Sequence, residues 1–293
     1  MQELKCKNCS VSMTYHKAQK KLICHYCGWN IAPPTQCPEC KSFDVGYFGF
    51  GTEFIEDEVR AKFPNATVER IDTDNLSSHK ELQEKLDSFR NKKIDILLGT
   101  QMVAKGLNFP NLKLVGVIMA DTGLHLPDFR AAERTFSLLV QVAGRAGRFF
   151  PDGKVIVQSY TPKRSAIFFA CKNYIEEFYK EELEQRKILS FPPFARLIRL
   201  VFRSAKNELA EQAASSAAEI LESFIEKYDY DDFEVLGPSE CPLSKISANY
   251  RYQIILRSES IKTIQSATAR FIYNYKSKPG IYIEVDVDPT NLL

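Results

Sequence analysis

Ile94-Asp95-Ile96-Leu97-Leu98-Gly99-Thr100-Gln101-Met102-Val103-Ala104-Lys105-Gly106-Leu107-Asn108-Phe109 is the stretch on which the fold turns. The apolar run Ile94–Leu98 reads as a strand, and the Gly-Thr pair that stops it reads as the loop at the strand's end. The same rhythm repeats on both sides. Upstream, Val45–Phe50 is strand-like, Thr52 can cap a helix running to about Lys62, Ala66–Ile71 is a second strand, and His79–Arg90 a second helix. Downstream, Leu112–Met119 is a continuous apolar run, as expected of a strand buried on both faces. Ala131–Val142 then reads as a helix and Lys154–Ser159 as a strand. Strands spaced by helices of this length imply a parallel sheet in an α/β lobe covering residues 43–161.

Beyond Tyr160-Thr161-Pro162 the pattern changes. A long helix is expected over Ser165–Lys187, followed by the breaker Phe191-Pro192-Pro193-Phe194. The remainder reads as strand (Arg196–Arg203), helix (Glu208–Lys227), strand (Glu234–Leu236), strand (Arg251–Arg257), helix (Ile261–Tyr275) and strand (Ile281–Val287). That order is the split-βαβ, α+β pattern, and it defines a third segment, 162–293. Cys171, Cys241 and the Phe/Tyr-rich stripe of 168–179 are expected to pack in cores.

The whole chain has 39 Lys+Arg against 37 Asp+Glu, a net charge of only +2, so any case for nucleic-acid binding must rest on local sites. No apolar run approaches the about 20 residues a membrane span needs. The amino terminus lacks the apolar core of a signal peptide, so a soluble, cytoplasmic protein is expected. Six of the 8 cysteines form three C-x-x-C pairs, Cys6/Cys9, Cys24/Cys27 and Cys37/Cys40, within residues 1–42, a segment too poor in apolar residues to build a core. Such a segment needs a metal staple, and two C-x-x-C turns supply the four thiolates of a tetrahedral zinc site. Cys6/Cys9 with Cys24/Cys27 falls just below the usual zinc-ribbon spacing, and Cys24/Cys27 with Cys37/Cys40 is the alternative. Six thiolates make one full site and half of another; the leftover pair either lacks a partner pair or recruits a histidine such as His16 or His25.

Gln141-Val142-Ala143-Gly144-Arg145-Ala146-Gly147-Arg148 follows a helix, ends in two arginines, and has glycines that admit close backbone approach. It resembles the Q-x-x-G-R-x-G-R motif of superfamily 2 helicases. With Gly99–Phe109 and Pro127-Asp128-Phe129-Arg130-Ala131-Ala132-Glu133-Arg134, it is similar to one family, the primosomal protein N-prime (PriA) replication-restart DNA helicases. Gly51-Thr52-Glu53 matches that family's fourth helicase motif. Gly237-Pro238-Ser239, Tyr250-Arg251-Tyr252 and Asp286-Val287-Asp288-Pro289 match its C-terminal domain. The resemblance spans essentially the whole chain.

The resemblance implies a RecA-like second helicase lobe flanked by a zinc module and a C-terminal domain. It implies that Arg145 and Arg148 reach the γ-phosphate of ATP bound with Mg on a first lobe, and that Gln141 helps position that phosphate or the attacking water. Thr52, Thr100 and Gln101 would grip DNA phosphates, Gly106 would admit backbone to nucleotide or DNA, and Asn108, where many relatives have Asp, would bond a ribose hydroxyl. Cys6, Cys9, Cys24 and Cys27 would hold one zinc, with Cys37 and Cys40 half of another whose first pair would lie before Met1. The implied activity is 3′→5′ DNA unwinding at stalled or branched forks in the bacterial cytoplasm. The implied partners are forked DNA, primosome proteins and single-stranded DNA-binding protein. No G-x-x-x-x-G-K-[ST] occurs in the chain. A non-catalytic, zinc-bearing DNA- or protein-binding module is therefore the competing expectation.

Overall fold

The computed structural model describes residues 4–9, 11, 13–16, 20–24, 26–36, 41, 52–72, 78–100, 109–146 and 152–292. The chain divides into two compact units. One comprises Met1–Gly46, Pro127–Phe129 and Glu182–Leu293; the other comprises Tyr47–Leu126 and Arg130–Glu181.

The first unit opens with three short antiparallel strands in the order β1 (Thr14–His16), β2 (Lys21–Ile23) and β3 (Asn30–Ile31). Apart from its cysteines, this sheet buries one apolar side chain among the described residues, Leu22.

In the second unit α1 (Thr52–Lys62) has Glu53 in its first turn and Arg60 and Lys62 in its last, each charge complementing the helix dipole. It leads to β4 (Val68–Ile71) and α2 (His79–Arg90). Ser78 caps α2 by accepting the Glu81 backbone N–H at 3.2 Å, at the head of an S-x-x-E sequence. β5 (Ile96–Gly99) pairs with β4, parallel, with Val68 opposite Ile96. β6 (Leu114–Val117) leads through a 3₁₀ turn, Ala120–His125, into α3 (Ala131–Ala146), and β7 (Lys154–Val157) pairs with β6, again parallel. Both described pairs are parallel, as strands alternating with helices require. The expectation that 112–119 is buried on both faces does not hold. β6 alternates, with Leu114 56% exposed and its neighbour Ile156 on β7 62% exposed, because one face packs on the lobe's helices and the described residues leave the other uncovered. Val45–Phe50 lies outside the described residues.

The single helix expected over Ser165–Lys187 is two: α4 (Ser165–Lys172) and α5 (Ile175–Ile188). Asn173 separates them with a left-handed backbone, φ 58°, its N–H returning to the Ala170 carbonyl at 3.1 Å. Asparagine tolerates that conformation, and it ends helices as glycine does. This break also corrects the expectation for Cys171, which is exposed: it stands in the last turn of a helix that stops one residue later. The aromatic stripe divides likewise. Phe178 is buried and stacks on Phe136 at 3.9 Å, whereas Phe168, Tyr174 and Tyr179 face solvent.

The first unit closes with β8 (Arg196–Ser204), α6 (Asn207–Tyr228), β9 (Glu234–Ile246), β10 (Asn249–Ser258), α7 (Ile261–Asn274) and β11 (Tyr282–Val287). The four strands form one sheet ordered β11-β8-β10-β9, with every neighbouring pair antiparallel. Leu200, Phe202, Ile254 and Leu256 face the helices and form the core with Leu221 and Phe271. α6 presents Ala210, Ala213, Ala214, Ala217 and Ala218 along one stripe, all buried. Small side chains at helical spacing let this helix lie close on the sheet. On the opposite sheet face Arg199 is 4% exposed, and its Nε donates to Gln253 Oε1 at 2.8 Å. Cys241 is buried, as expected. β9 is irregular at Gly237, whose φ of 118° and whose missing Cβ, which would stand 2.9 Å from the Gln253 carbonyl oxygen, both require glycine. No helix among the described residues is long and apolar enough to cross a membrane.

Candidate zinc centre and motor-lobe site

The first C-x-x-C turn, Cys6-Lys7-Asn8-Cys9, is closed by the Cys9 N–H donating to the Cys6 carbonyl (3.4 Å) and anchored by the Cys6 N–H to the Val11 carbonyl (2.8 Å). In the second, the Gly28 N–H returns to the Cys24 carbonyl (2.8 Å) with Gly28 at φ 73°, and the Cys24 N–H donates to the Trp29 carbonyl (2.9 Å). These turns bring the Sγ atoms of Cys6, Cys9, Cys24 and Cys27 within 4.8 Å of one another, with Cys6 and Cys27 at 3.7 Å. A tetrahedron with zinc–sulfur bonds of about 2.3 Å has sulfur–sulfur edges of about 3.8 Å, so the donor set fits zinc in number, chemistry and spacing. All six described cysteines are free. Among the described residues, geometry thus brings together the first of the two pairings left open by the spacing.

Backbone N–H groups surround these sulfurs. The Asn8 N–H donates to Cys6 Sγ at 3.4 Å and the Ser247 N–H to Cys9 Sγ at 3.3 Å. Burial pushes the Cys9 thiol up to about 12. The backbone N–H of Trp29, opposed by burial, draws Cys27 down to about 7. A divalent cation shared by four thiolates offsets the cost of burying them, which couples metal binding to folding of the ribbon. Trp29 packs beside the cluster with the Lys7 ammonium 5.0 Å above its ring. Cys37, Cys40 and His25, the expected second half-site, lie outside the described residues, and His16 falls in β1.

In the second unit α3 buries Thr135, Phe136, Leu139, Val142 and Ala146. Gln141 is exposed and Arg145 half-buried, one turn apart and therefore on one face of the helix. Among the described residues nothing lies within 4 Å of where a Gly144 Cβ would stand. Thr100 is exposed directly after β5. Gln101, Gly106, Asn108 and Arg148 lie outside the described residues.

Thr52 begins α1, and its hydroxyl donates to Asp72 Oδ2 at 2.6 Å. Arg70 reaches Glu53 (3.3 Å), Glu56 (3.3 Å) and Asp72 (3.4 Å), so Thr52 belongs to an ionic cluster that its motif did not disclose. A phosphate at this helix start would have to meet the backbone N–H groups of the first turn, since the hydroxyl proton is engaged.

Asp121 takes a structural role that its place in the sequence did not assign. Its carboxylate accepts from the Ser159 hydroxyl (3.0 Å), the Tyr160 N–H (2.8 Å), the Thr161 N–H (3.1 Å) and the Thr161 hydroxyl. Those donors, the Thr161 hydroxyl foremost, hold its carboxyl down at about 2. It fastens the chain after β7 to the start of the 3₁₀ turn. Only its place at the end of an apolar run, Leu112–Ala120, hinted at such a role. Asp128 accepts the Leu292 backbone N–H at 3.1 Å.

Three family models match the chain in order: the PriA DNA helicase Cys-rich region over residues 6–31, the helicase conserved C-terminal domain over 44–150, and the primosomal protein N C-terminal domain over 187–290. The replication restart protein PriA of Treponema pallidum is 48% identical across 98% of this chain and 43% of its own length. That of Borreliella burgdorferi is 42% identical across 98% of the chain and 43% of its own length. For the Bacillus subtilis protein the figures are 40%, 97% and 35%. The chain therefore spans less than half the length of these relatives. Cys6, Cys9, Cys24 and Cys27 fall in the first match, α3 with Gln141 and Arg145 in the second, and the four-stranded sheet in the third, so the chain belongs to the primosomal protein N-prime (PriA) family, of which it carries the zinc ribbon, the helicase C-terminal domain and the C-terminal domain.

Proposed function

We propose that this chain serves as the second motor lobe, zinc module and C-terminal domain of an ATP-dependent 3′→5′ DNA helicase that recognises stalled or branched forks and begins primosome assembly. The observation that carries the reading is the match to a helicase C-terminal domain over 44–150, within which Gln141 and Arg145 share one accessible face of α3. In this reading Arg145 and Arg148 reach the γ-phosphate of ATP held with Mg by a first lobe. Guanidinium suits that task because it is permanently charged and forked, and it can stabilise charge on the phosphoryl group in flight. Gln141 orients the phosphate or the attacking water. Thr100 and Gln101 grip a DNA phosphate, Gly106 admits backbone to nucleotide or DNA, Asn108 bonds a ribose hydroxyl, and Thr52 contacts DNA through its backbone N–H.

The same reading assigns 43–161 to a RecA-like lobe, which the two parallel strand pairs favour. It assigns 162–293 to a split-βαβ domain, which the strand order β11-β8-β10-β9 favours, and 1–42 to a zinc module. One zinc sits on Cys6, Cys9, Cys24 and Cys27, and Cys37 and Cys40 supply half of a second site. The partners are forked DNA, single-stranded DNA-binding protein and primosome proteins, and the setting is the bacterial cytoplasm.

The competing reading is a non-catalytic zinc-bearing binding module. Complementation separates the two. The chain alone should not turn over ATP; joined to a first lobe carrying the phosphate loop, it should be a DNA-stimulated ATPase. Arg145→Ala and Arg148→Ala should each cut turnover by about 10³-fold or more, and lysine at either position should restore little. Unmutated turnover in both variants would remove the motor assignment.

A further inference from the structure

Ser247 and Ala248 form the two-residue turn that joins β9 to β10, with Ile246 opposite Asn249. Both have positive φ, 48° and 65°, the mirror-image turn that hairpins favour and that asparagine and glycine normally fill. With a Cβ on each residue the turn is strained. Its two central N–H groups lie outside the strand ladder, and both are directed at the zinc ribbon. The Ser247 N–H donates to Cys9 Sγ at 3.3 Å and the Ala248 N–H to the Asn8 carbonyl at 2.8 Å. From the same hairpin Lys245 Nζ donates to the Lys7 carbonyl at 3.2 Å while lying over the Tyr250 ring at 4.5 Å. One hairpin thus bonds each of the three successive residues Lys7, Asn8 and Cys9.

Four thiolates around a divalent cation carry an excess of negative charge, and buried charge of that kind needs donors. The ribbon supplies its own at Cys6, from Asn8. At Cys9 the backbone donor comes from a different domain, 238 residues along the chain.

Building on the zinc assignment of the four cysteines, we propose that Ser247 is a positioning residue of the zinc centre. Its N–H supports the Cys9 thiolate, so that metal loading and docking of the ribbon onto the C-terminal sheet are one coupled equilibrium. By reciprocity, whatever the docked hairpin adds to metal affinity, the metal adds to docking.

Replacing zinc with a spin-active cadmium isotope in the nitrogen-labelled full chain tests the contact directly. Scalar coupling through sulfur to the Ser247 amide is expected, alongside coupling to the Asn8 amide. Coupling at Asn8 without any at Ser247 would overturn the proposal while leaving the metal site intact; failure to bind cadmium at all would instead strike the zinc assignment. In chelator competition Ser247→Pro, which removes the N–H and, since proline cannot adopt φ 48°, also rebuilds the turn, should weaken metal retention about 10-fold or more, at least the size expected for one hydrogen bond to a charged acceptor. The pair Ser247→Asn and Ala248→Gly keeps both amides in a more favourable turn and should hold metal at least as tightly as the parent. Equal retention in Ser247→Pro, in protein whose sheet signals are unchanged, would also overturn the proposal.

Discussion

Stripping the metal from the ribbon should be visible at one side chain, because the chain has a single tryptophan and it lies beside the cysteine cluster. Among the described ribbon residues Leu22 is the one fully buried aliphatic side chain, worth about 1.5–3 kcal/mol; Val11, Met13 and Trp29 are only partly covered. Structural zinc sites supply about 10–16 kcal/mol at neutral pH, several times that amount. The metal therefore decides whether the ribbon is folded. Chelation, or Cys24→Ala at the most deeply buried ligand, should release Trp29 into water, shift its emission to the red and remove the Lys7 ammonium from its ring. Far-ultraviolet dichroism should fall only slightly, since the helices α6 and α7 have a core of their own with the C-terminal sheet. The assay is fluorescence titration with elemental analysis of the same samples. Protein shown to have lost its zinc with Trp29 emission unchanged would refute the reasoning, because the ribbon would then be holding itself together by other means.

Two further outcomes follow from particular residues. The Asp121 carboxyl sits at about 2 in the fold against an ordinary 3.8, so its contribution to stability is fully present above about pH 4 and is lost as the pH falls toward about 2. Asp121→Asn should lower the thermal midpoint at neutral pH and flatten its acid dependence; a variant with the parent's acid slope would show that the four donors do not act as described. Gly237→Ala would place a Cβ 2.9 Å from the Gln253 carbonyl oxygen at φ 118°, and should cost about 1–3 kcal/mol in denaturant unfolding; parent stability in this variant would refute the constraint.

Much of this was legible in the residues because local chemistry and tertiary structure agree. Thr52–Lys62 and His79–Arg90 were bounded by their caps and breakers and fold over those spans, and β8, β10 and β11 fall on the strands expected there, whereas β9 runs on from the expected Glu234–Leu236 as far as Ile246. Departures arose where a choice depends on what packs opposite. The apolar run before Ala120 could not say that one of its faces stays uncovered. Asn173 carries no signal, inside a helical pattern, that it will turn left-handed rather than continue. The cysteine spacing admitted two pairings, and the convergence of the turns at Cys6/Cys9 and Cys24/Cys27 is a matter of tertiary approach that spacing does not encode. The engagement of the Thr52 hydroxyl by Asp72 was hidden because the two stand twenty residues apart. The hairpin on the ribbon was beyond reach for the same reason on a larger scale, with 238 residues between donor and acceptor.

That separation has a consequence for how the protein is made. During synthesis the ribbon leaves the ribosome before the hairpin that completes it, and at about 5–20 residues per second the interval is roughly 10–50 s. Throughout that interval Cys9 has its sulfur partners but not the Ser247 amide, so the first metal to arrive meets an incomplete cage. Metal captured early is held by the two C-x-x-C turns alone and can still exchange. On the coupling proposed above, metal exchange should slow once the C-terminal sheet has formed and its hairpin has closed over Lys7, Asn8 and Cys9.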